Sequence, residues 1–421
     1  MKKLRTLAAT LLTASAFGAF VPTASAQEKT TVTFWHAMQG KHQEMITQLV
    51  DEFNKSQDTV EVVEQNQGDY SSLQQSVMAS GVSGKLPTIA QLTASNTPDY
   101  MNQGLLMPLN DILTAENGFT DELREGIFPG FMTGVTFEDK IYALPFSKSV
   151  RLLFVNKTML DKAGAEIPKT WDEVKALGEK LREAGIDKPA MGFENDVAAE
   201  YETMARQNGA AWISPDLKKV DFTSKEALEP IQFIKDLIES GLARTAGEDG
   251  YMSGPFSSGE SALYIGSSAG LPYVLPGVKE NNIELATAHV PVFGGGKELT
   301  IFAGNDLGVF SSASEAEQKG AIQFISFLLK NTARWATETG YLPVTKQGAE
   351  SEEWTKYLEE NPLMKAASEE LDFGMTQPAY VGAGEVYSEL KIALENILIN
   401  GNDIATEMGK IESLVKGHLG Q

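Results

Sequence analysis

The chain has 421 residues, 42% hydrophobic and 22% charged, a globular balance in a length too great for one compact core and suited to two lobes. Its 35 Lys and Arg against 57 Asp and Glu leave a net charge of −22, a surface that repels phosphate backbones and anionic lipid and so argues against nucleic-acid binding as the main role. Cysteine is absent, which excludes disulfides, thiolate metal sites, a cysteine nucleophile and a lipidated cysteine anchor.

Residues 1–26 read as an export signal. Lys2, Lys3 and Arg5 form a positive start, Leu7 to Phe20 is an apolar run too short to span a bilayer, and Ala24-Ser25-Ala26 is a small-residue cleavage site. Cleavage after Ala26 is expected, and with no cysteine to carry a lipid tether the mature protein is expected to be exported, with a periplasmic location.

From residue 31 onward strands and helices alternate. Thr31–Trp35 is β-rich, and residues 40–56 carry Met45, Ile46, Leu49, Val50 and Phe53 on one helical face. A strand over 59–63, a helix over 70–79 and a strand over 87–92 follow. This order predicts a parallel sheet with helices on its faces and a ligand beyond the carboxyl ends of the strands. The residues to watch are then Trp35, His36, Thr93, Ser95 and the helix start at Tyr70.

The pattern repeats further along. Segments 140–145 and 152–156 read as strands around a turn at Phe146-Ser147-Lys148-Ser149. Helices are predicted over 170–184, 224–240 and 313–330, and strands over 262–266 and 304–310. Ser267-Ser268-Ala269-Gly270 reads as a helix start with free amides, and the chain from Trp354 onward as mostly helical with acidic, solvated faces. No long linker appears, so ordinary crossing strands must join the lobes.

Catalytic signatures are missing. The four histidines, His36, His42, His289 and His418, have no partner at metal-ligand spacing. There is no G-x-S-x-G elbow, no phosphate loop and no dinucleotide fingerprint, and Gly294-Gly295-Gly296 reads as a turn. The reading is therefore of a protein that is not an enzyme and carries no cofactor and no metal. An exported hydrolase using two of the many carboxylates is the alternative from another class.

Several segments carry a resemblance. Thr33-Phe34-Trp35-His36, Gly68-Asp69-Tyr70, Pro145-Phe146 with Ser149 and Asn156-Lys157, Pro168-Lys169-Thr170-Trp171, Asn208-Gly209, Ser267-Ser268 and Thr339-Gly340-Tyr341-Leu342-Pro343 run in order from about residue 30 to 350. Together they resemble the extracellular solute-binding proteins that serve ABC importers, and within them the receptors for glycerol 3-phosphate and related glycerophosphodiesters. The resemblance implies a two-lobe α/β fold with a hinge and an interlobe cleft. Residues 27–142 with 303–345 would make one lobe and 146–300 with 346–421 the other. It implies a monomer that binds a phosphorylated glycerol compound, or alternatively a sugar, and delivers it to permease subunits.

The resemblance also implies ligand contacts at Tyr70, Ser149, Ser267, Gly304 and Tyr341, with Trp35 added as an aromatic at a strand end. Each has a plainer alternative: a wet-edged core residue for the tyrosines and Trp35, a turn or cap for the serines. Departures accompany the matches. Where that subfamily offers a ligand-facing Glu this chain has Ala94, two tryptophans appear as Asn195 and Ala198, and a phosphate-pairing arginine falls at Ser388. Loss of that bidentate donor points toward a larger diester or a neutral sugar. Lys148 and Arg151 are expected to be solvated, with replacement of the missing arginine as the other reading.

Overall fold

The computed structural model describes residues 29–421, and the export signal lies outside the described residues. Ten strands build two five-stranded sheets: β1 Thr30–His36, β2 Val60–Asn66, β3 Ile89–Leu92, β4 Ala143–Ser149, β5 Arg151–Asn156, β6 Met191–Phe193, β7 Ala243–Thr245, β8 Leu263–Ser267, β9 Leu285–Ala288 and β10 Ala303–Val309. The first sheet has the order β2-β1-β3-β10-β4 and the second β7-β6-β8-β5-β9.

Neither sheet is wholly parallel, as the alternation had suggested. β1, β2 and β3 run parallel, but β10 returns antiparallel to both β3 and β4. In the second sheet β6, β7 and β8 are parallel, and β5 is antiparallel to β8 and β9. The reason is topological: β10 re-enters the first sheet from a chain that has already built the second.

The expected turn at Phe146–Ser149 is also corrected. β4 runs through it, buried at every residue. Asn305 faces Ser147 and Asp306 faces Pro145, so the ladder skips Phe146 in a bulge. A bulge is where a sheet tolerates a proline that cannot donate. The Pro145 signal thus marks an irregular strand and not a turn.

Helices cover the faces as their apolar stripes dictate. α1, Gly40–Ser56, buries His42, Met45, Ile46, Leu49, Val50 and Phe53, packing with Val32 and Phe34 of β1 in one core. Around the second sheet, α2 Trp171–Glu183 starts on a Thr170–Glu173 capping box. Strand alternation splits that sheet's side chains between two cores. Leu153, Val155, Leu263 and Ile265 face one, while Leu152, Phe154 and Tyr264 face the other.

Crossings between the sheets are short. Val150 alone separates β4 from β5, and Thr300–Ile301 leads into β10 while pairing with Gly374–Met375. The Thr300 hydroxyl accepts from the Arg151 backbone N–H at 3.2 Å, tying the two crossings together. Beside them Glu370 is fully buried and accepts from the Val290 N–H at 3.3 Å. Burial pushes its carboxyl well above the usual range, against opposing hydrogen bonds from Thr300 and Val290.

The folded state therefore holds a proton on Glu370 that the unfolded chain releases above about pH 4.3. Stability falls as pH rises from that point toward the folded-state value, because the native form binds more protons. Glu370→Gln, which mimics the protonated acid, is expected to flatten this decline and to raise the urea midpoint at pH 8 more than at pH 4.5. Equal midpoint shifts at the two pH values would contradict it.

Candidate functional site

The carboxyl ends of the parallel strands in both sheets converge on one cavity of about 760 Å³. From the first sheet, β3 delivers Thr93, Ala94 and Ser95, the helix after β2 delivers Tyr70, and the β4–β10 pair delivers Lys148 and Gly304. From the second, β6 delivers Glu194, Asn195 and Asp196, and the chain after β7 delivers Gly250 and Tyr251. Helix α3, Ala383–Leu398, closes the wall with Tyr387, Ser388, Lys391 and Glu395. Ligand sites in open α/β sheets sit in this position.

A second groove, of about 540 Å³, lies around His289, Glu298 and Glu369. None of its lining comes from the first sheet or its helices, so it is a recess of one half. The larger cavity is the one both halves share. On its flanks the halves touch directly: the Tyr273 hydroxyl donates to the Gln39 carbonyl at 3.0 Å, and the Gly382 N–H donates to Asp99 Oδ1 at 2.7 Å.

Of the six residues singled out from the sequence, Tyr70 and Gly304 line the cavity. Tyr70 opens a helix capped by Asp69, whose side chain accepts from the Ser72 N–H at 2.7 Å. Its hydroxyl accepts from Asn305 Nδ2 at 2.8 Å. Burial raises the Tyr70 phenol above its ordinary range, so it stays a neutral donor and acceptor. Gly304 has φ +104°, and a Cβ there would lie 1.8 Å from the Ser147 carbonyl oxygen. Only glycine fits at that point on the wall.

The other four stand outside the lining. Ser267 Oγ donates to Ser149 Oγ at 3.0 Å and accepts from the Ala269 N–H at 3.2 Å, so the serines clasp each other at the strand ends. Tyr341 is buried, stacked on Trp335 at 5.7 Å between ring centres, in the core beneath Tyr70. Trp35 is half-buried and donates its indole N–H to Gln65 at 2.7 Å.

Lys148 and Arg151 are not solvated, contrary to expectation. Lys148 Nζ lies 2.6 Å from Asp306 Oδ1, with both side chains buried. Arg151 donates through Nε to Glu200 at 2.7 Å and through Nη2 to Glu194 at 3.1 Å, with only 12% of its side chain exposed. Burial pulls the Arg151 guanidinium down, but the Glu200 and Glu194 charges more than restore it and hold it up. Burial pushes the Glu200 carboxyl up to about 7 and the Asp306 carboxyl up as well, each opposed by its cation.

Sequence reasoning missed Glu194, Asp196, Glu200, Tyr251, Tyr387 and Lys391. Lys391 carried a signal, one turn beyond Ser388 on the same helix; its Nζ lies 3.3 Å from Asp196. Ala198 is core, whereas Ala94, Asn195 and Ser388 face the cavity. Among the described residues there is no group of three or more His, Asp or Glu placed to hold a metal ion, and no helix long and apolar enough to cross a membrane.

Comparison with known proteins places this geometry in context. A family model described as bacterial extracellular solute-binding protein matches residues 48–365. The sn-glycerol-3-phosphate-binding periplasmic protein UgpB of Rhizobium meliloti (strain 1021) is 29% identical over 351 residues, 80% of each chain. UgpB of Brucella suis biovar 1 is 29% identical over 374 residues, 84% of each. Among solved structures, UgpB from Mycobacterium tuberculosis in complex with glycerophosphocholine superposes with a TM-score of 0.83 at 22% identity, covering 93% of this chain and 99% of that one. The cyclic alpha-maltosyl-1,6-maltose binding protein of Arthrobacter globiformis gives a TM-score of 0.78 at 25% identity, covering 93% and 99%.

Proposed function

The chain belongs to the bacterial extracellular solute-binding proteins, and from that premise we propose that it is the periplasmic receptor of an ABC importer. It captures a phosphorylated glycerol compound, glycerol 3-phosphate or a glycerophosphodiester, and hands it to the membrane permease. The observation that carries this reading is the cavity walled by strand ends of both sheets, rich in hydroxyls and flanked by contacts between the two halves. The relatives named for sn-glycerol-3-phosphate binding support the ligand class.

On this reading the protein works as a monomer of two lobes, 29–149 with 303–345 and 151–300 with 346–421, the first drawn to Ser149 and not to residue 142 because β4 belongs wholly to the first sheet. They hinge at Val150 and at the Thr300–Ile301 crossing. Ligand bridging both walls biases the closed arrangement, because contacts from the two lobes exist together only there. Tyr70 and the backbone at Gly304 touch the ligand, while Ser149, Ser267, Tyr341 and Trp35 support them from behind. The cleft performs no covalent chemistry.

A second reading is a receptor for neutral oligosaccharides. It is favoured by Ser388 and Ala94, where the glycerol phosphate receptors offer charge, and by the maltose-type proteins that share the fold. Thermal shift with glycerol 3-phosphate, glycerophosphocholine and maltose separates the two. A ligand at about 100 times its Kd adds about 2.7 kcal/mol. A shift with a phosphorylated compound, lost in Tyr70→Ala, is the expected result. Stabilisation by maltose alone would transfer the case to the second reading, and turnover of the diester would end both.

A further inference from the structure

The cavity presents three cations, Lys148, Arg151 and Lys391, and the structure assigns each of them a carboxylate partner already. Lys148 is held by Asp306 at 2.6 Å, Arg151 by Glu200 and Glu194, and Lys391 by Asp196 at 3.3 Å. Glu395 adds a further carboxylate to the lining. Three positive groups thus face five negative ones, and the two deepest pairs are buried. A buried cation whose charge is offset at hydrogen-bond distance has little left with which to attract a second anion.

We propose that Asp306 and Glu200 are specificity-determining residues that set the charge of the ligand: the cleft prefers a singly charged phosphodiester to a doubly charged phosphate monoester. The proposal rests on the receptor reading above. Its chemistry is simple. A monoester carries close to two negative charges at neutral pH because its second pKa is about 6, whereas a diester carries one. The second charge would enter a pocket already in carboxylate excess, with no free guanidinium fork to receive it.

Neither Asp306 nor Glu200 lines the cavity; both stand directly behind a cation that does. Their effect on ligand choice is therefore electrostatic. Removing the Asp306 charge without changing shape leaves Lys148 facing the cavity without its carboxylate, and removing that of Glu200 leaves Arg151 offset by Glu194 alone. Either change favours the dianion over the monoanion, whereas a merely structural role would weaken both ligands alike.

Calorimetric titration of the full chain at pH 8 with glycerol 3-phosphate and glycerophosphoglycerol, a diester that carries no cation of its own, tests this. At that pH the monoester is a dianion and Glu200 lies above its value near 7. The native protein is expected to bind the diester about tenfold more tightly or better. In Glu200→Gln and in Asp306→Asn, checked for folding by circular dichroism, that ratio is expected to fall about tenfold. The native ratio is measured independently of either variant. A native preference for the monoester, or an unchanged ratio in a folded variant, overturns the proposal and leaves the receptor reading intact. Binding of neither phosphate compound overturns the phosphorylated-glycerol reading and this proposal with it.

Discussion

Gly304→Ala is expected to abolish ligand capture and to lower the unfolding free energy by about 4 kcal/mol, strain at a special backbone position and an overpacked contact together. Two independent obstacles meet there. The residue sits at φ +104°, a conformation that L side chains rarely adopt, and the new methyl would lie 1.8 Å from the Ser147 carbonyl oxygen and 3.3 Å from the Lys148 Cα. Neither neighbour is a flexible tip that can swing aside. The β4–β10 ladder must open by more than an ångström beside its existing bulge at Asn305/Asp306.

The functional loss follows from what this ladder holds. Asn305 donates to Tyr70, and Asp306 pairs with Lys148, so a shift in β10 moves two groups of the cavity wall at once. Urea unfolding and a ligand titration on the same preparation check both parts. A Gly304→Ala protein with native midpoint and native affinity would show that the ladder is far more compliant than these contacts allow.

How much of this could be read in the sequence depends on how local the cause is. The α1 stripe of Met45, Ile46, Leu49, Val50 and Phe53 was legible because helical periodicity acts within one segment, and the buried set matches it. The Tyr70 helix start was legible for the same reason, and the structure caps it with Asp69, the third residue after β2. The second sheet was harder. β6 and β7 have three residues each, too few to show alternation, yet β6 carries Glu194, Asn195 and Asp196 to the cavity.

The helix Ala198–Gln207 hid for another reason. It is buried over Tyr201, Glu202, Thr203, Met204 and Ala205 in succession, so it has no polar stripe to betray it. Arg151 and Lys148 were misread as solvated because a charge looks solvated until its partner is known. The partners of Arg151 lie 43 and 49 residues away, and that of Lys148 lies across the sheet on β10. Long-range pairing leaves no local trace.

The same pairing yields the other large effect. Arg151→Ala is expected to cost about 3–5 kcal/mol near neutral pH, the magnitude for breaking a buried ion pair from one side. The loss is not of one contact: Glu200, 3% exposed, and Glu194 both lose the guanidinium they share. The sign of the pH dependence follows. In the native protein burial already lifts Glu200 to about 7, with Arg151 as the main opposing influence. Without Arg151 it rises further, and the folded variant binds a proton that its unfolded chain, with an ordinary carboxyl near 4.3, has released. The stability of Arg151→Ala must therefore fall as pH rises from about 4.3, and continue to fall beyond 7 where the native contribution of Glu200 has levelled off. Urea midpoints of both proteins from pH 5 to 8 are expected to converge toward the acid end, since a protonated Glu200 no longer needs a cation. A difference that stays constant across that range would mean that Arg151 stabilises the crossing by packing and not by charge.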